Sequence, residues 1–505
     1  MTPSETQSPD PVPSYRRAGA IGALSTGAGT LVKASMQVVS ILALARLLTP
    51  HDFGVMAMVF PIIGFAAVVQ EAGLGWAVLQ RVKISERELS TMFWLNVTLG
   101  LFLSLLFVAL APLAASFYGE PRVTALTMAS ASLLMLAALA TQPMAILNRN
   151  LKFGQMATID AVSITVGTAL AIGVAYATHS YWAIFLLNFG SALSSCLLAW
   201  IFSRWRPGAR SSLREVIDLV RFGGDITVSN IASYFGRNLD NILIGRVWGA
   251  TALGFYERAY KIVLLPILYI HMPLFRLVVP MLSQTRDDPA RYRRIFMMAF
   301  QGSLLLAVPG VVLIAAATQL IVSIALGPQW VSSAPIFAWL ALACLAQLAV
   351  GPLTMIFISQ SRSRDSVHSS IATSLVNVVA FLIGIHWGAL GVAMAYALCE
   401  VARAPVMLWY ATRTGPVGFR DALGGVVPVL LGGIGCYLLL STLDGLIGGI
   451  SPVLKAILLA ASAYGFMIPL LMLFNRKTRD FFREVAALFR KRAASVPPAC
   501  VPNIV

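Results

Sequence analysis

Long apolar stretches follow one another along almost the whole chain, separated by short polar joints. About 20 apolar residues suffice for a helix to cross the hydrocarbon core of a bilayer. Fourteen stretches meet this requirement, and we number them as spans 1–14. They lie near residues 20–46, 52–78, 89–116, 122–146, 155–177, 180–203, 222–246, 251–283, 295–317, 333–359, 367–386, 389–412, 421–441 and 453–474. The pattern predicts an all-α polytopic membrane protein with about 14 transmembrane helices.

The joints between the spans alternate in charge. Every second joint is rich in Lys and Arg, beginning with Arg16 and Arg17 and ending with the tail from Arg476. The intervening joints carry few basic residues, and Arg122 is an exception. Because basic loops remain on the cytoplasmic side of a membrane, the alternation predicts that both termini are cytoplasmic and that the number of spans is even.

The arrangement of spans and joints predicts how the chain is organised. The longest joint, about 204–221, is too short for an extramembrane domain, so function must reside in the bilayer or at its surface. In the tail, Phe481, Val485 and Leu488 recur at helical spacing opposite basic residues, which is typical of an amphipathic helix on a membrane surface. The expected parts are a disordered cytoplasmic N-terminus (1–19), an N-terminal helical bundle (20–205), a basic cytoplasmic linker (206–221), a C-terminal helical bundle (222–413), two extra helices (421–474) and a basic amphipathic tail (475–505).

Composition excludes several classes of function. Only 11% of the 505 residues are charged and 58% are hydrophobic, whereas about a quarter of a soluble domain is charged. The net charge of +16 would indicate nucleic-acid binding in a soluble protein, but here the basic joints account for it, and no nucleic-acid partner is expected. The five cysteines are far apart in the sequence, with Cys500 in the tail, so we expect neither a disulfide nor a metal site. No phosphate-binding loop or catalytic constellation is present in the sequence, and we expect no cofactor and no enzymatic activity.

An internal repeat links the two halves of the chain. The segment ARLLTPHDFGVM (45–56) resembles GRVWGATALGFY (245–256), so that Arg46 matches Arg246 and Gly54 matches Gly254. Each segment follows a long span and leads into the next one. Since an even number of spans separates the copies, they have the same orientation, as in transporters built from parallel repeats.

Span 7 carries polar residues on one helical face within its apolar sequence. Asn230, Tyr234, Arg237 and Asn241 are spaced i, i+4, i+7 and i+11, which places them on the same face. Asp240 is three residues from Arg237, close enough to form an ion pair. In the first copy of the repeat, this part of the span has fewer charges.

Two interpretations of these charges remain open, because a charge at mid-bilayer costs about 2.5–3.5 kcal/mol and must be compensated. Pairs such as Arg237–Asp240 and Glu257–Lys261 could lock two helices together. Alternatively, a surplus of positive charge could line a cavity for an anionic substrate. The candidates for substrate contact are Lys33, Gln37, Arg237, Asp240, Asn241, Arg246, Arg258 and Lys261.

Carboxylates inside other spans are candidates for coupling transport to an ion gradient. They are Glu71, Asp160, Glu257 and Glu400. For Glu71 an interfacial carboxylate is the alternative interpretation. Arg403 lies three residues after Glu400 and is expected to pair with it.

Three segments resemble a known family. ILALARLLTPHDFGVMAMVFPIIGFAAVVQEAGLGWAVLQR looks like the N-terminal signature of bacterial polysaccharide transporters, and LIGRVWGATALGFYERAYKIVLLPILYIHMPLFRLVVPMLSQTRDDPARYRRIF and ALGPQWVSSAPIFAWLA resemble later segments of the same family. The likeness is greatest to the branch that resembles colanic acid exporters. That branch belongs to the multidrug/oligosaccharidyl-lipid/polysaccharide exporter superfamily, which also holds O-antigen flippases, the lipid II flippase and multidrug and toxin extruders.

The resemblance implies two pseudo-symmetric six-helix bundles that face a central cavity, plus two C-terminal helices. It implies a flippase that moves undecaprenyl-pyrophosphate-linked oligosaccharide repeat units across the bacterial inner membrane for exopolysaccharide, capsule or O-antigen synthesis. The expected partners are a lipid-linked anionic oligosaccharide, membrane lipids, a polysaccharide polymerase and export machinery, and we expect a monomer. The alternative is an ion-coupled drug antiporter of the same superfamily, for which a carboxylate-rich cavity would be typical.

Overall fold

The computed structural model describes residues 15–71, 85–209, 213–447, 449–474 and 479. The side chains of residues 15–28, 71, 213–233 and 474 are outside this description. Also outside the described residues are Cys500, the predicted tail helix and residues 1–14 of the predicted disordered N-terminus. Residues 15–19, for which disorder was also expected, are helical, in keeping with the helix-forming Ala and Arg residues there.

The described residues form helices joined by short turns. The α-helices are α1 (Tyr15–Leu47), α2 (Pro50–Glu71), α3 (Glu86–Tyr118), α4 (Arg122–Arg149), α5 (Phe153–Thr178), α6 (Trp182–Ser203), α7 (Leu213–Val263), α8 (Met272–Gln284), α9 (Pro289–Ala316), α10 (Thr318–Ala325), α11 (Ala334–Val350), α12 (Thr354–Ser359), α13 (Ser363–Gly384), α14 (Gly388–Thr412), α15 (Phe419–Leu446) and α16 (Pro452–Phe474). A π-helical turn, Ile267–His271, precedes α8. The prediction of an all-α polytopic membrane protein is confirmed.

Twelve helical stretches within the described residues are long and apolar enough to cross a membrane. Two of them, Tyr234–Gln284 and Ser363–Thr412, are 51 and 50 residues long, about twice what one crossing needs. The first is interrupted at Gly249 (φ 77°, ψ −177°) and the second at the 3₁₀ turn Ile385–Trp387. These breaks are compatible with two crossings in each stretch, and the count of fourteen remains a prediction.

The chain divides into two compact units, residues 1–254 and 255–505. In the first unit, α5 packs against α1 and α6, and α3 packs against α4. In the second, α11 and α13 pack against α14, and α15 packs against α9. The division falls inside α7. The predicted boundary between two helical bundles at the linker 206–221 remains a prediction.

Polar residues at the joints satisfy the backbone groups that helix ends leave unpaired. Before α2, the carboxylate of Asp52 accepts from the Thr49 backbone N–H (3.0 Å) and from the Thr49 hydroxyl (2.6 Å). Before α3, Ser85 and Glu88 form a reciprocal capping box. The polar residues of these two joints therefore define where α2 and α3 begin.

Candidate functional site

The glycines matched by the repeat meet in a reciprocal contact within the first unit. A Cβ atom on Gly54 in α2 would overlap the backbone of Ala250 in α7, and a Cβ on Gly254 would overlap the backbone of Pro50. Pro50 and Ala250 are themselves matched by the same offset of 200 residues. A shift of 200 residues therefore converts the Gly54–Ala250 contact into the Gly254–Pro50 contact and the reverse. This is the arrangement expected of helices related by a pseudo-two-fold axis.

Close packing of α2 and α7 continues along the polar face predicted for span 7. The hydroxyl of Tyr234 donates to the carbonyl of Pro61 at 2.9 Å, and its ring occupies the space beside Gly64. Tyr234 is buried. This side chain, which sequence reasoning treated only as part of a stripe, therefore anchors α7 to α2.

The remaining residues of the stripe differ in exposure. Arg237 is exposed, and within the described chain it forms no ion pair with Asp240. Asp240 is 2% exposed, and its carboxylate accepts from the backbone N–H of Asn241 at 2.8 Å. Asn241 is half-buried. The helix-locking pair Arg237–Asp240 is therefore not formed here, and Arg237 is left as an exposed cation on a membrane-crossing helix.

Arg246 lies near the end of the first segment of α7. Its guanidinium is 5.6 Å from the ring centroid of Phe117, and its side chain is exposed. Arg46, its partner in the repeat, is also exposed near the end of α1. Both positions are thus arginines at helix ends, and Arg246 in addition stacks on an aromatic ring.

The second segment of α7 contains the other predicted ion pair, which lies within this one helix and does not join it to another. Lys261 pairs with Glu257, which is 5% exposed, while the lysine side chain is 50% exposed. Arg258 is buried next to Glu257. The spacing i, i+4 therefore predicted a real contact in this segment, and Lys261 presents the accessible charge.

The first unit brings together two candidates that are 127 residues apart in the sequence. The Nζ of Lys33 in α1 lies 2.9 Å from Oδ2 of Asp160 in α5. Both side chains are about half exposed, at 48% and 47%. Gln37, one turn further along α1, is half-buried. A predicted substrate-contacting cation and a predicted coupling carboxylate thus form one accessible ion pair.

The second unit contains a buried ion pair. Glu400 is 2% exposed and pairs with Arg403 in α14, and Arg403 also donates to the Thr373 hydroxyl in α13 at 3.0 Å. The expected Glu400–Arg403 contact is present and ties two helices together. For Glu71, the fourth coupling candidate, the side chain lies outside the described residues.

Sequence reasoning missed an ion-pair network at one end of the second unit. Arg362 donates to Asp365 at 2.8 Å and to the backbone carbonyl of Ala411 at 2.8 Å, and Arg413 donates to the same carboxylate at 3.2 Å. The Arg–Asp spacing in SRSRD is a signal for one of these contacts, but nothing local indicates Arg413. The network fastens the α12–α13 joint to the end of α14.

Arg122, the exception to the alternation of basic and non-basic joints, has an acidic neighbour. Glu120 lies within 3.9 Å of Arg122 and within 3.3 Å of His51. The sequence GEPR places this carboxylate two residues before the arginine. Glu120 therefore offsets the positive charge of Arg122, the basic residue that departs from the alternation.

A set of membrane-crossing helices that carries exposed charges within its spans is the construction of a membrane transporter. Residues 43–335, more than half of the chain, match the model of a family described as "Polysaccharide biosynthesis protein". The chain belongs to this family, and the resemblance stated from its sequence motifs is confirmed.

Individual relatives and structures agree with this family. The teichuronic acid biosynthesis protein TuaB of Bacillus subtilis (strain 168) is 26% identical over 402 residues, which cover 79% of this chain and 83% of the relative. The lipopolysaccharide biosynthesis protein WzxC of Escherichia coli (strain K12) is 24% identical over 383 residues, covering 75% and 78%. A structure of the lipid II flippase MurJ in an inward closed conformation superposes with a TM-score of 0.70 at 15% identity, over 90% of this chain and 99% of that one.

Proposed function

We propose that this chain is a flippase that moves undecaprenyl-pyrophosphate-linked oligosaccharide repeat units across the bacterial inner membrane for polysaccharide synthesis. Family membership and the names of two relatives, which refer to teichuronic acid biosynthesis and lipopolysaccharide biosynthesis, support this class of substrate. The fold shared with a lipid II flippase supports the type of transport. The polymer made from these units is exopolysaccharide, capsule or O-antigen. A polysaccharide polymerase and the export machinery act after the translocation step.

The observation that carries the proposal is the exposed guanidinium of Arg237 on a membrane-crossing helix. A charge in that position needs water, an acidic partner or an anionic ligand. Among the described residues it has no acidic partner within ion-pair distance. The planar fork of an arginine matches the oxygens of a phosphate group, so a pyrophosphate-linked substrate supplies the missing negative charge. In the second unit, Lys261 with its half-exposed side chain is a further candidate cation for an anionic substrate.

The orientation follows from the basic joints. With both termini in the cytoplasm, α1 runs outward, and the reciprocal contact between Gly54 and Ala250 lies toward the outer side. Alternating access, the mode of transport usual for proteins built from such repeats, is the proposed mechanism. In this scheme the substrate is loaded from the cytoplasmic leaflet and released to the outer leaflet.

The pair of Lys33 and Asp160 is the proposed coupling site. A half-exposed carboxylate held by a single lysine is a candidate for coupling transport to an ion gradient. Asp160 is chosen over Glu400 because Glu400 is almost fully buried and its partner Arg403 stays charged.

An ion-coupled drug antiporter is the second candidate. The observation that favours it is the same exposed carboxylate of Asp160, because cationic drugs need an acidic site. The lysine at 2.9 Å already neutralises that carboxylate, and the exposed charge of Arg237 repels a cation. These two features favour an anionic substrate.

Polymer export in a deletion strain tests the proposal. Complementation with Arg237→Ala is expected to fail while the level of membrane-inserted protein stays unchanged, and Arg237→Lys is expected to restore part of the export. Arg364→Ala, at an exposed arginine on α13, is the matched control and should export normally. Full export by Arg237→Ala, or export of a cationic dye in place of polymer, would contradict the proposal.

A further inference from the structure

The second unit contains an apolar groove that the transport proposal does not use. Its volume is about 540 Å³, and it lies between α9, α11, α14 and α15. Small residues open it from several sides, among them Ala346 in α11, Ala404 in α14 and Gly433 in α15. Its size falls within the range of about 300–1,000 Å³ that is usual for ligand pockets.

The groove exists because α15 packs closely against α9 and only loosely against α14. α15 packs closely against α9, where a Cβ added at Gly425 would lie 3.0 Å from Met297 and one added at Gly433 would lie 3.5 Å from Val308, but it touches α14 at few places. Small residues usually let membrane helices approach closely. Here the backbones of α14 and α15 stay apart, and the small residues leave space along both.

The groove is open to the surroundings and extends along much of a bilayer. Leu423, Val427, Ile434 and Tyr437 line it and are each more than a third exposed. From Leu423 to Tyr437, α15 rises about 21 Å at about 1.5 Å per residue, out of a hydrocarbon core of about 30 Å. Water does not fill an apolar space of this kind, and an empty one forfeits dispersion contacts along its walls.

The end of the groove near the start of α15 is positively charged. Arg420 lies one turn before Leu423 on the groove-facing side of α15, because the spacings 420, 423, 427, 430 and 434 follow the helical repeat. Arg420 is exposed and forms no ion pair with the described acidic residues. The nearby Arg293 is already neutralised by Asp421. An anionic head group therefore finds one available cation at the mouth of an apolar channel.

We propose that this groove is a binding site for an anionic phospholipid of the bilayer, with one acyl chain along α15 and the head group at Arg420. A phospholipid is chosen because it combines an apolar acyl chain for the groove with an anionic head group for Arg420, and a polyprenyl phosphate is the alternative that the experiment separates. α15, one of the two helices beyond the twelve of the repeat, thus forms one wall of a lipid site. The inference is independent of the proposed transport function.

Bound lipid can be measured directly on the full-length protein. In native mass spectrometry from mild detergent, phosphatidylglycerol is expected to remain bound and to raise the melting temperature more than phosphatidylcholine with the same acyl chains. Gly433→Leu and Ala404→Phe, which fill the groove, should weaken phosphatidylglycerol binding about tenfold, equivalent to about 1.4 kcal/mol. Ala402→Phe, at an exposed alanine of the same helix outside the groove lining, is the matched control and should bind as wild type does.

A second experiment tests the preference for the lipid head group, and a third locates the acyl chain on the wild-type protein. Arg420→Gln should abolish the preference for phosphatidylglycerol over phosphatidylcholine, whereas Arg364→Gln should preserve it. A phosphatidylglycerol with a photoreactive acyl chain should label wild-type peptides that contain Ala346 or Leu423–Tyr437. Labelling elsewhere, equal binding by groove-filled and control variants, or stabilisation by undecaprenyl phosphate alone would overturn the proposal.

Discussion

Two ion pairs inside the membrane-spanning helices make opposite use of charge. Lys33 and Asp160 join α1 to α5 with both side chains about half exposed. Glu400 and Arg403 are 2% and 15% exposed at the side chain, and the arginine also holds Thr373 of α13. The first pair is exposed at the surface of its helices, whereas the second is buried within the packing of its own unit.

The contrast indicates that exposure, more than charge, separates the candidate transport residues from the structural ones. A buried pair that loses one partner leaves an uncompensated charge in a medium of low polarity. An exposed pair exchanges its partner for water or ligand at little cost. The two kinds of pair should therefore respond to substitution in opposite ways. Changes to the two pairs test this, and changes at the glycine contact and at Arg246 give intermediate effects; the four are given from the largest effect on stability to the smallest.

The buried pair should dominate stability. Arg403→Met leaves Glu400 buried without its cation, and we expect a loss of about 3–5 kcal/mol. The melting temperature of the purified protein should fall strongly, and less of the protein should reach the membrane. The double change Glu400→Leu with Arg403→Met should recover most of the loss. Equal stability of the Arg403→Met single variant and wild type would remove the contrast.

The reciprocal glycine contact should give the next largest effect. Gly54→Ala puts a Cβ against the Ala250 backbone, and we expect overpacking to cost about 1–3 kcal/mol. Gly254→Ala should cost a similar amount because the two contacts are equivalent under the repeat. Gly173→Ala, in α5 with no atom within 4 Å of its added Cβ, serves as the control in the same melting experiment. A large difference between the variants at positions 54 and 254 would argue against the pseudo-symmetry.

A smaller effect on the melting temperature is expected from substitutions at Arg246. Arg246→Gln removes the contact with the Phe117 ring, which is worth about 0.5–1 kcal/mol at an exposed site. Arg246→Lys should retain part of this, and Phe117→Leu should make the Arg246→Gln change nearly silent in a double-mutant cycle. Additive losses in that cycle would mean that the ring and the guanidinium do not interact.

The exposed pair should matter least for stability and most for coupling. Asp160→Asn is expected to change the melting temperature little, since exposed pairs contribute about 0–1 kcal/mol. Transport by this variant should no longer respond to an imposed proton or sodium gradient, while binding of substrate persists. A strong loss of stability without any change in the gradient response would show that Lys33–Asp160 is structural, like the buried pair.

The helices and the local ion pairs could be predicted from the sequence, since both depend on spacing along one helix. Glu257–Lys261 and Glu400–Arg403 form at i, i+4 and i, i+3. The same rule failed for Arg237 and Asp240, since Asp240 is buried and accepts from the backbone N–H of Asn241, whereas the Arg237 side chain is exposed. Helical spacing brings two side chains within reach of each other, but it does not determine which of the available partners each side chain binds.

Contacts between distant helices could not be predicted in this way. Lys33 and Asp160 are 127 residues apart, and their pairing depends on the packing of α1 against α5. The contact of Gly54 with Ala250 was foreshadowed only by the repeat, which matched the residues without indicating that they touch. The groove of the second unit depends on a gap between α14 and α15, which no pattern of apolar positions describes.

The central claim is that exposed positive charge in the spans serves an anionic, lipid-linked substrate. Its most direct test is translocation of an undecaprenyl-pyrophosphate-linked oligosaccharide in proteoliposomes that contain the wild type, Arg237→Lys or Arg237→Ala at equal protein density. We expect the fastest translocation for the wild type, a reduced rate for Arg237→Lys and almost none for Arg237→Ala, with the three proteins equally stable. Equal rates for all three proteins would contradict the claim.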